Sequence, residues 1–306
     1  MDASLLHPEI REHYKNIRNP PVKTAVGRAY LAAIHARVKP APLAPGMTRH
    51  INEFARGTGV RIFTPSNANG SGLLWIHGGG LIIGNATQDD DFCIANAQAT
   101  GATVVSVEYR LAPKHPFPTP LHDCLRAWTW LLHNANTLGV DPTRIAIGGS
   151  SAGGGLSAAL TQLIHDQPGQ QPIAQWLICP MLDDRTASRK ELDATNHHLW
   201  NNASNRVGWR SYLNALPGQP EVPDYAVPAR RQALEGLPPA FISSSNIELF
   251  YDEDLNYAQA LQAAGVECEF HEIDGAPHGF ERAPEHFATG QVYLNAARQW
   301  LRNRLE

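Results

Sequence analysis

Cysteine is scarce in this chain, and so is charge. The four cysteines among 306 residues, Cys93, Cys124, Cys179 and Cys268, stand 31, 55 and 89 positions apart. Those spacings suit neither a zinc site nor a small disulfide framework, so reduced and mostly buried thiols are expected. Charged residues make up 18% of the chain and sum to a net −4 at pH 7, which excludes a basic field that would recruit nucleic acid or an anionic membrane. No run of about 18 apolar residues is present, so no bilayer-spanning helix is expected. Repeats, charge runs and low-complexity tracts are also missing. The opening Met1-Asp2-Ala3-Ser4-Leu5-Leu6-His7-Pro8 lacks the basic and then apolar stretch of a secretory signal, and a cytoplasmic protein is expected.

What is present is an alternation. Apolar, β-branched runs of strand length occur at Gly72–Ile76, Thr103–Tyr109, Arg144–Ile147, Ile173–Cys179, Ala240–Ser243 and Glu267–Ile273. Helical patterns separate or follow them at Asp90–Thr100, Pro120–Asn134, Ala152–His165, Asp252–Ala264 and Pro284–Arg304. Near-continuous apolar strands alternating with helices predict a parallel sheet covered on both faces, in one α/β domain spanning residues 1–306. Upstream, Thr48–Phe54 and Val60–Phe63 flank Arg56-Gly57-Thr58-Gly59 and predict an antiparallel hairpin at the sheet edge. Two segments fall outside the alternation. Residues 1–45 carry a helical stripe (Val22, Ala25, Val26, Ala29, Tyr30, Ala33, Ile34), and residues 184–235 are rich in Asn, Arg, Trp and Pro. Both are expected to form a cap over the carboxyl edge of the sheet, where open α/β sheets bind ligands.

Two glycine-rich motifs carry the chemistry. After the strand ending Ile147-Gly148 comes Gly149-Ser150-Ser151-Ala152-Gly153, then a helical run. This is G-x-S-x-G in its required strand–turn–helix context. Side chains two positions either side of the nucleophile would collide in so tight a turn, so the flanking glycines select Ser151 over Ser150. Helix N-terminal charge beside Ser151 favours a developing oxyanion. The second motif, Trp75-Ile76-His77-Gly78-Gly79-Gly80, ends an apolar strand. Its glycines let backbone N–H groups approach a carbonyl oxygen, so Gly79, Gly80 and Ala152 are the expected oxyanion-hole donors. His77 is expected to fix this loop by bonding to backbone rather than to carry protons.

With both motifs in place, the sequence resembles the hormone-sensitive-lipase-like branch of the α/β-hydrolase family. The likeness continues through Glu108-Tyr109-Arg110-Leu111-Ala112-Pro113, His115-Pro116-Phe117-Pro118, Leu237-Pro238-Pro239-Ala240 and His278-Gly279-Phe280, covering the chain from about residue 45 onward. It implies an α/β-hydrolase fold with a mostly parallel, twisted sheet of about eight strands, helices on both faces and a bipartite helical cap. It also implies esterase activity without metal or organic cofactor. One departure stands out: the residue before the nucleophile is usually acidic in this family, and here it is Ser150.

A serine nucleophile needs a base, and the base needs an orienting carboxylate, in the chain order Ser, acid, His. His271 lies within a strand pattern and His286 within a helical one, whereas His278 sits in the loop Asp274–Phe280 and matches the family's motif. The resemblance puts the acid at Glu248, where the family carries Asp, and a second acid four residues later at Asp252. Asp252 also reads as the N-cap of the helix it begins, and Asp274 remains a further candidate for the acid. Asp183-Asp184 are expected to anchor the cap loop. His197 and His198, being adjacent, point apart and make a poor metal pair, and no His-Glu-x-x-His occurs. Trp200, Trp209 and Tyr212 are either cap core or walls of a substrate pocket. The expected function is therefore a serine carboxylesterase using Ser151, Glu248 and His278 on a small-molecule, short-chain acyl ester. Hydrolysis of another acyl bond and a non-catalytic receptor on the same fold are the alternatives. The last strand, Glu267–Ile273, offers an edge for a homodimer; no nucleic-acid or membrane partner is expected.

Overall fold

The computed structural model describes residues 2–282 and 287–306. Helices α1 (Pro8–Tyr14) and α2 (Ala25–His35) precede the hairpin β1 (Met47–Ala55) and β2 (Thr58–Pro65). Then follow β3 (Gly72–Ile76), α3 (Asp90–Thr100), β4 (Thr103–Glu108), α4 (Thr119–Leu138), β5 (Ile145–Ser150), α5 (Ala152–His165) and β6 (Gln175–Ile178). Helix α6 (Asn202–Leu213) leads into β7 (Ala240–Ser245), α7 (Tyr251–Ala263), β8 (Cys268–Ile273) and α8 (Ala288–Leu305). The eight strands form one sheet in the order β1-β2-β4-β3-β5-β6-β7-β8. The β1–β2 and β2–β4 pairs are antiparallel, and the remaining pairs are parallel. The hairpin and the last strand thus occupy the two edges, as the sequence predicts.

Alternation along each strand sends its side chains into two separate layers. Leu73 and Trp75 of β3 join Val104, Ala146, Trp176 and Phe241 in a core with Cys93, Ala97 and Trp300 of α3 and α8. Leu74 and Ile76 point the other way, into a core with Ile145, Ile147, Leu121, Leu131, Leu156 and Leu160 beneath α4 and α5. Strands buried on both faces need apolar side chains at both parities, which is why they read as unbroken apolar runs. α3 and α4 stop at Gly101 and Gly139, each in the left-handed region that closes a helix.

The helix carrying the apolar stripe forms, but Val26, Tyr30 and Ile34 are 80%, 61% and 41% exposed. The docked side is that of buried Gly27 and half-buried Leu31, because Pro21 carbonyl backbone presses on Gly27 where no Cβ would fit. Ahead of it, Leu6, Ile10 and Tyr14 pack with Ala276, Phe280 and Phe287, and His7 N–H donates to the Gly275 carbonyl at 2.9 Å. This first segment therefore braces the loop that carries His278. Helix α7 starts at Tyr251, so Asp252 is a first-turn residue on the surface, paired with Arg189 at 3.1 Å, rather than the N-cap. The start of the predicted Pro284–Arg304 helix, with His286, lies outside the described residues.

Asp90, the first residue of α3, ties that helix to the hairpin. Its carboxylate accepts two bonds from Arg61, at 2.7 and 2.6 Å, and further bonds from Arg49 and the Ala41 N–H, each at 3.2 Å. Both Arg61 and Asp90 are buried, so removing one partner strands an uncompensated charge. Asp90→Ala should lower the unfolding free energy by about 3–5 kcal/mol in urea titration; a loss below about 1 kcal/mol would contradict this role.

Candidate active site

Ser151 occupies a strained turn, with φ 54° and ψ −121°, between β5 and α5. The two flanking glycines are required by contact rather than by preference. A Cβ on Gly153 would lie 2.0 Å from the Ile76 carbonyl oxygen, and one on Gly149 would lie 2.5 Å from Gly153 backbone. The turn is held by Ser151 N–H donating to the Ile178 carbonyl and by the Ser151 carbonyl accepting from Met181 N–H, at 2.8 and 2.9 Å. Strand β3 and the loop after β6 therefore both press on the serine, and the register argued from sequence selects the residue so held.

Loops after β7 and β8 bring the remaining two residues to it. His278 Nε2 lies 2.8 Å from Ser151 Oγ, and His278 Nδ1 lies 2.5 Å from Glu248 Oε2. The other Glu248 oxygen accepts from Ser244 Oγ–H at 2.7 Å. Burial would lower the His278 pKa, but the charge and hydrogen bond of Glu248 oppose it, and the net shift is upward. Asp274 instead accepts from Asn246 Nδ2 at 2.8 Å, and Asp252 is turned to solvent with its side chain 62% exposed. Neither is bonded to the imidazole. His271 stays in β8, its ring stacked on Phe241.

The glycine loop after β3 lies against this row. Gly79 and Gly80 have φ 131° and 58°. Among the described residues no backbone carbonyl outside helices and strands takes the N–H of Gly79, Gly80 or Ala152. His77 is fully buried and stacked on Tyr109, whose hydroxyl donates to the His77 carbonyl at 2.9 Å. Its own Nδ1 bonds the Gly78 carbonyl at 2.8 Å, and burial depresses its pKa to about 4. A neutral ring that bonds backbone matches the fixing role predicted for it.

Residues 184–235 lie over the loop. The Trp200 ring fills the space where a Gly80 Cβ would be, and α6 approaches so closely that a Cβ on Gly208 would lie 2.7 Å from the Gly80 carbonyl oxygen. Trp200, Trp209 and Tyr212 are all buried. Trp209 and Tyr212, with Leu81, Ala152, Leu156 and Met181, enclose a cavity of about 10 Å³ beside the serine turn; Trp200 is not in its wall. Asp184 anchors this segment, accepting from Gly218 N–H at 2.6 Å and Arg230 Nε at 2.7 Å. Asp183 instead pairs with Arg185 two residues away. His197 and His198 lie in a loop, and His197 is buried close enough to Glu248 and His278 for their charges to act on it.

Several carboxylates here carry no local sequence signature. Glu253 accepts the N–H groups of Leu182 and Asp183, at 2.7 and 3.1 Å, tying α7 to the loop after β6. Asp254 is fully buried beside Glu248 and Glu253, and burial pushes its carboxyl well above the ordinary range. Ser150, which stands where relatives of the expected family carry an acid, lines a cavity of about 350 Å³ with Asp89, Glu281 and Arg282. Asp89 there accepts from Trp75 Nε1 at 2.8 Å and pairs with Arg282. The acidic run Asp89-Asp90-Asp91 at the head of α3 was the available signal.

Comparison with known proteins agrees with the geometry. A family model of the α/β-hydrolase fold matches residues 73–282. The chain is 33% identical over 229 residues to the carboxylic ester hydrolase LipN of Mycobacterium tuberculosis, covering 72% of this chain and 60% of that protein. It is 34% identical over 235 residues to the carboxylesterase NlhH of the same species, covering 72% and 70%. The chain thus spans less than two thirds of the first of these relatives. Among solved structures, a bacterial heroin esterase shares 33% identity over 99% of both chains with a TM-score of 0.89. The esterase LipW from Mycobacterium marinum shares 34% identity over 99% of this chain and 96% of its own, with a TM-score of 0.82. Sheet order, motif context and these likenesses together lead to one conclusion: the chain belongs to the α/β-hydrolase family, among relatives named as esterases and carboxylic ester hydrolases.

Proposed function

We propose that the protein is a serine carboxylesterase that hydrolyses short-chain acyl esters with Ser151 as nucleophile, His278 as base and Glu248 as orienting acid. The observation that carries this reading is the continuous row from Ser151 Oγ to His278 Nε2 at 2.8 Å and from His278 Nδ1 to Glu248 Oε2 at 2.5 Å. Ser151 Oγ attacks the ester carbonyl as its proton passes to Nε2, while Nδ1–H donates to Glu248. Negative charge on the carbonyl oxygen is taken up by the N–H groups of Gly79, Gly80 and Ala152, each such donor typically worth about 3–4 kcal/mol of barrier. The protonated imidazole returns its proton to the departing alkoxide, and water cleaves the acyl-enzyme by the same steps.

The size of the space beside Ala152 supports short acyl chains. A cavity of about 10 Å³ closed by Trp209 and Tyr212 has room for roughly one water-sized group, so an acetyl methyl fits without moving the cap. Residues 184–235, together with residues 1–45, act in this reading as the cap; Asn19 and Asn196 join the two segments at 3.3 Å.

Two experiments test the reading. Ser151→Ala should cut turnover of a chromogenic acetyl ester by roughly 10⁴ or more, Ser150→Ala far less, and across a series from acetyl to long-chain esters the rate should peak at short chains. Equal losses in the two variants would sink the nucleophile assignment, and a maximum at long chains the substrate class. The second experiment concerns Glu248. The base works only when neutral, so kcat/KM falls as pH drops through the His278 pKa. That pKa is raised in the native enzyme, placing the acid limb above the ordinary histidine value of about 6.5. Glu248→Gln removes the raising influence and leaves burial, so the limb should move to lower pH while kcat drops by roughly 10³. An unshifted limb with native kcat would assign the acid elsewhere.

A further inference from the structure

The proposed base and acid also face a second group of donors. Cys179 follows β6 at φ 36°, its N–H tied to the Ser243 carbonyl at 2.7 Å. Its Sγ, a Glu248 carboxylate oxygen and a ring nitrogen of His278 all lie within 4.8 Å of one another. A fourth donor, Glu281 Oε2, lies 4.0 Å from the same sulfur. All four residues line one internal cavity of about 20 Å³, enough for a single water-sized occupant, and none is more than 8% exposed. The Glu281 side chain is 4% exposed, and its other oxygen has Arg282 Nε 3.9 Å away.

We infer that Cys179, His278, Glu248 and Glu281 form an inhibitory site for a thiophilic divalent cation, Zn²⁺ being the closest fit. Sulfur, imidazole nitrogen and carboxylate oxygen are the ligand types that four-coordinate zinc takes. Magnesium and calcium prefer six or more oxygens and retained water, which this cavity does not offer. Binding involves no change of oxidation state. The Cys179 S–H bond breaks, its proton leaves to solvent, and a Zn–S bond forms; Glu248 turns an oxygen from Nδ1–H to the metal. His278 ligates through Nδ1, so its proton shifts to Nε2. An Nε2–H imidazole cannot accept the Ser151 proton, and turnover stops. The inhibitory consequence rests on the esterase reading above, whereas metal capture does not. Cys179 and Glu248 are 69 positions apart, and Glu248 and His278 are 30 apart, so no spacing motif announces the group.

The test uses the full chain after chelator treatment, titrated with ZnCl₂ or CoCl₂. Acetyl-ester hydrolysis should fall as one zinc binds per chain, recover with EDTA and be unaffected by MgCl₂. Cobalt should produce a thiolate-to-metal charge-transfer absorption. Cys179→Ser should abolish that absorption and raise the zinc concentration for half-inhibition by about tenfold or more, measured against its own untreated rate. Glu281→Gln should raise it too, and serves alone if the serine variant does not fold. Unchanged zinc sensitivity in these variants, or cobalt uptake without the thiolate band, overturns the site. Cobalt capture at Cys179 in a chain that hydrolyses no ester would instead count against the esterase reading.

Discussion

Burying a carboxylate is costly unless it is hydrogen-bonded, and the way Glu248 is matched organises the candidate site. One oxygen takes the Ser244 hydroxyl and the other takes His278 Nδ1. Satisfying both requires the ends of β7 and β8 to stand beside each other, which their parallel pairing provides. It also requires the His278 loop to lie beside the end of β6, and that loop is braced from outside by Leu6 and by Ile10 and Tyr14 of α1. The same bonds that cancel the cost of burying Glu248 fix the imidazole with Nε2 toward Ser151. Stability and orientation therefore come from one set of contacts.

The proposed oxyanion loop is the second place where packing and chemistry coincide. Its glycines serve close approach on both sides, toward the serine turn and toward the cap, where Trp200 and α6 press on Gly80. Because the cap touches the proposed donor loop itself, a change in cap packing would reach the oxyanion as well as the pocket wall. Trp209 and Tyr212 limit the space beside Ala152, whereas Trp200 acts on the loop. Three aromatics that sequence alone groups together thus divide into two jobs.

Sequence made the sheet legible because its strands are buried on both faces and read as apolar runs, and because the helices between them have clear ends. α3 and α5 have the bounds that the helical pattern predicts. Ser151 and the glycine loop are legible through turns that tolerate few residues, and His278 through its loop position and its match to the family's motif. What stayed hidden depends on long-range contact. The exposed stripe of α2 shows that periodicity finds a helix without saying which side docks. The strand predicted to reach Cys179 stops at Ile178, where the backbone turns to positive φ. Glu253 and Cys179 acquire their partners from residues scores of positions away, and nothing in their immediate neighbours marks them.

The central claim is that one serine, in one register of the turn, is activated by the row behind it. Labelling with an alkyl fluorophosphonate, followed by peptide mass mapping, tests this directly, since the reagent reacts with a serine whose proton is being drawn away and whose phosphoryl oxygen meets waiting donors. The account predicts stoichiometric labelling confined to Ser151. Labelling at Ser150, or none in the folded protein, would contradict it.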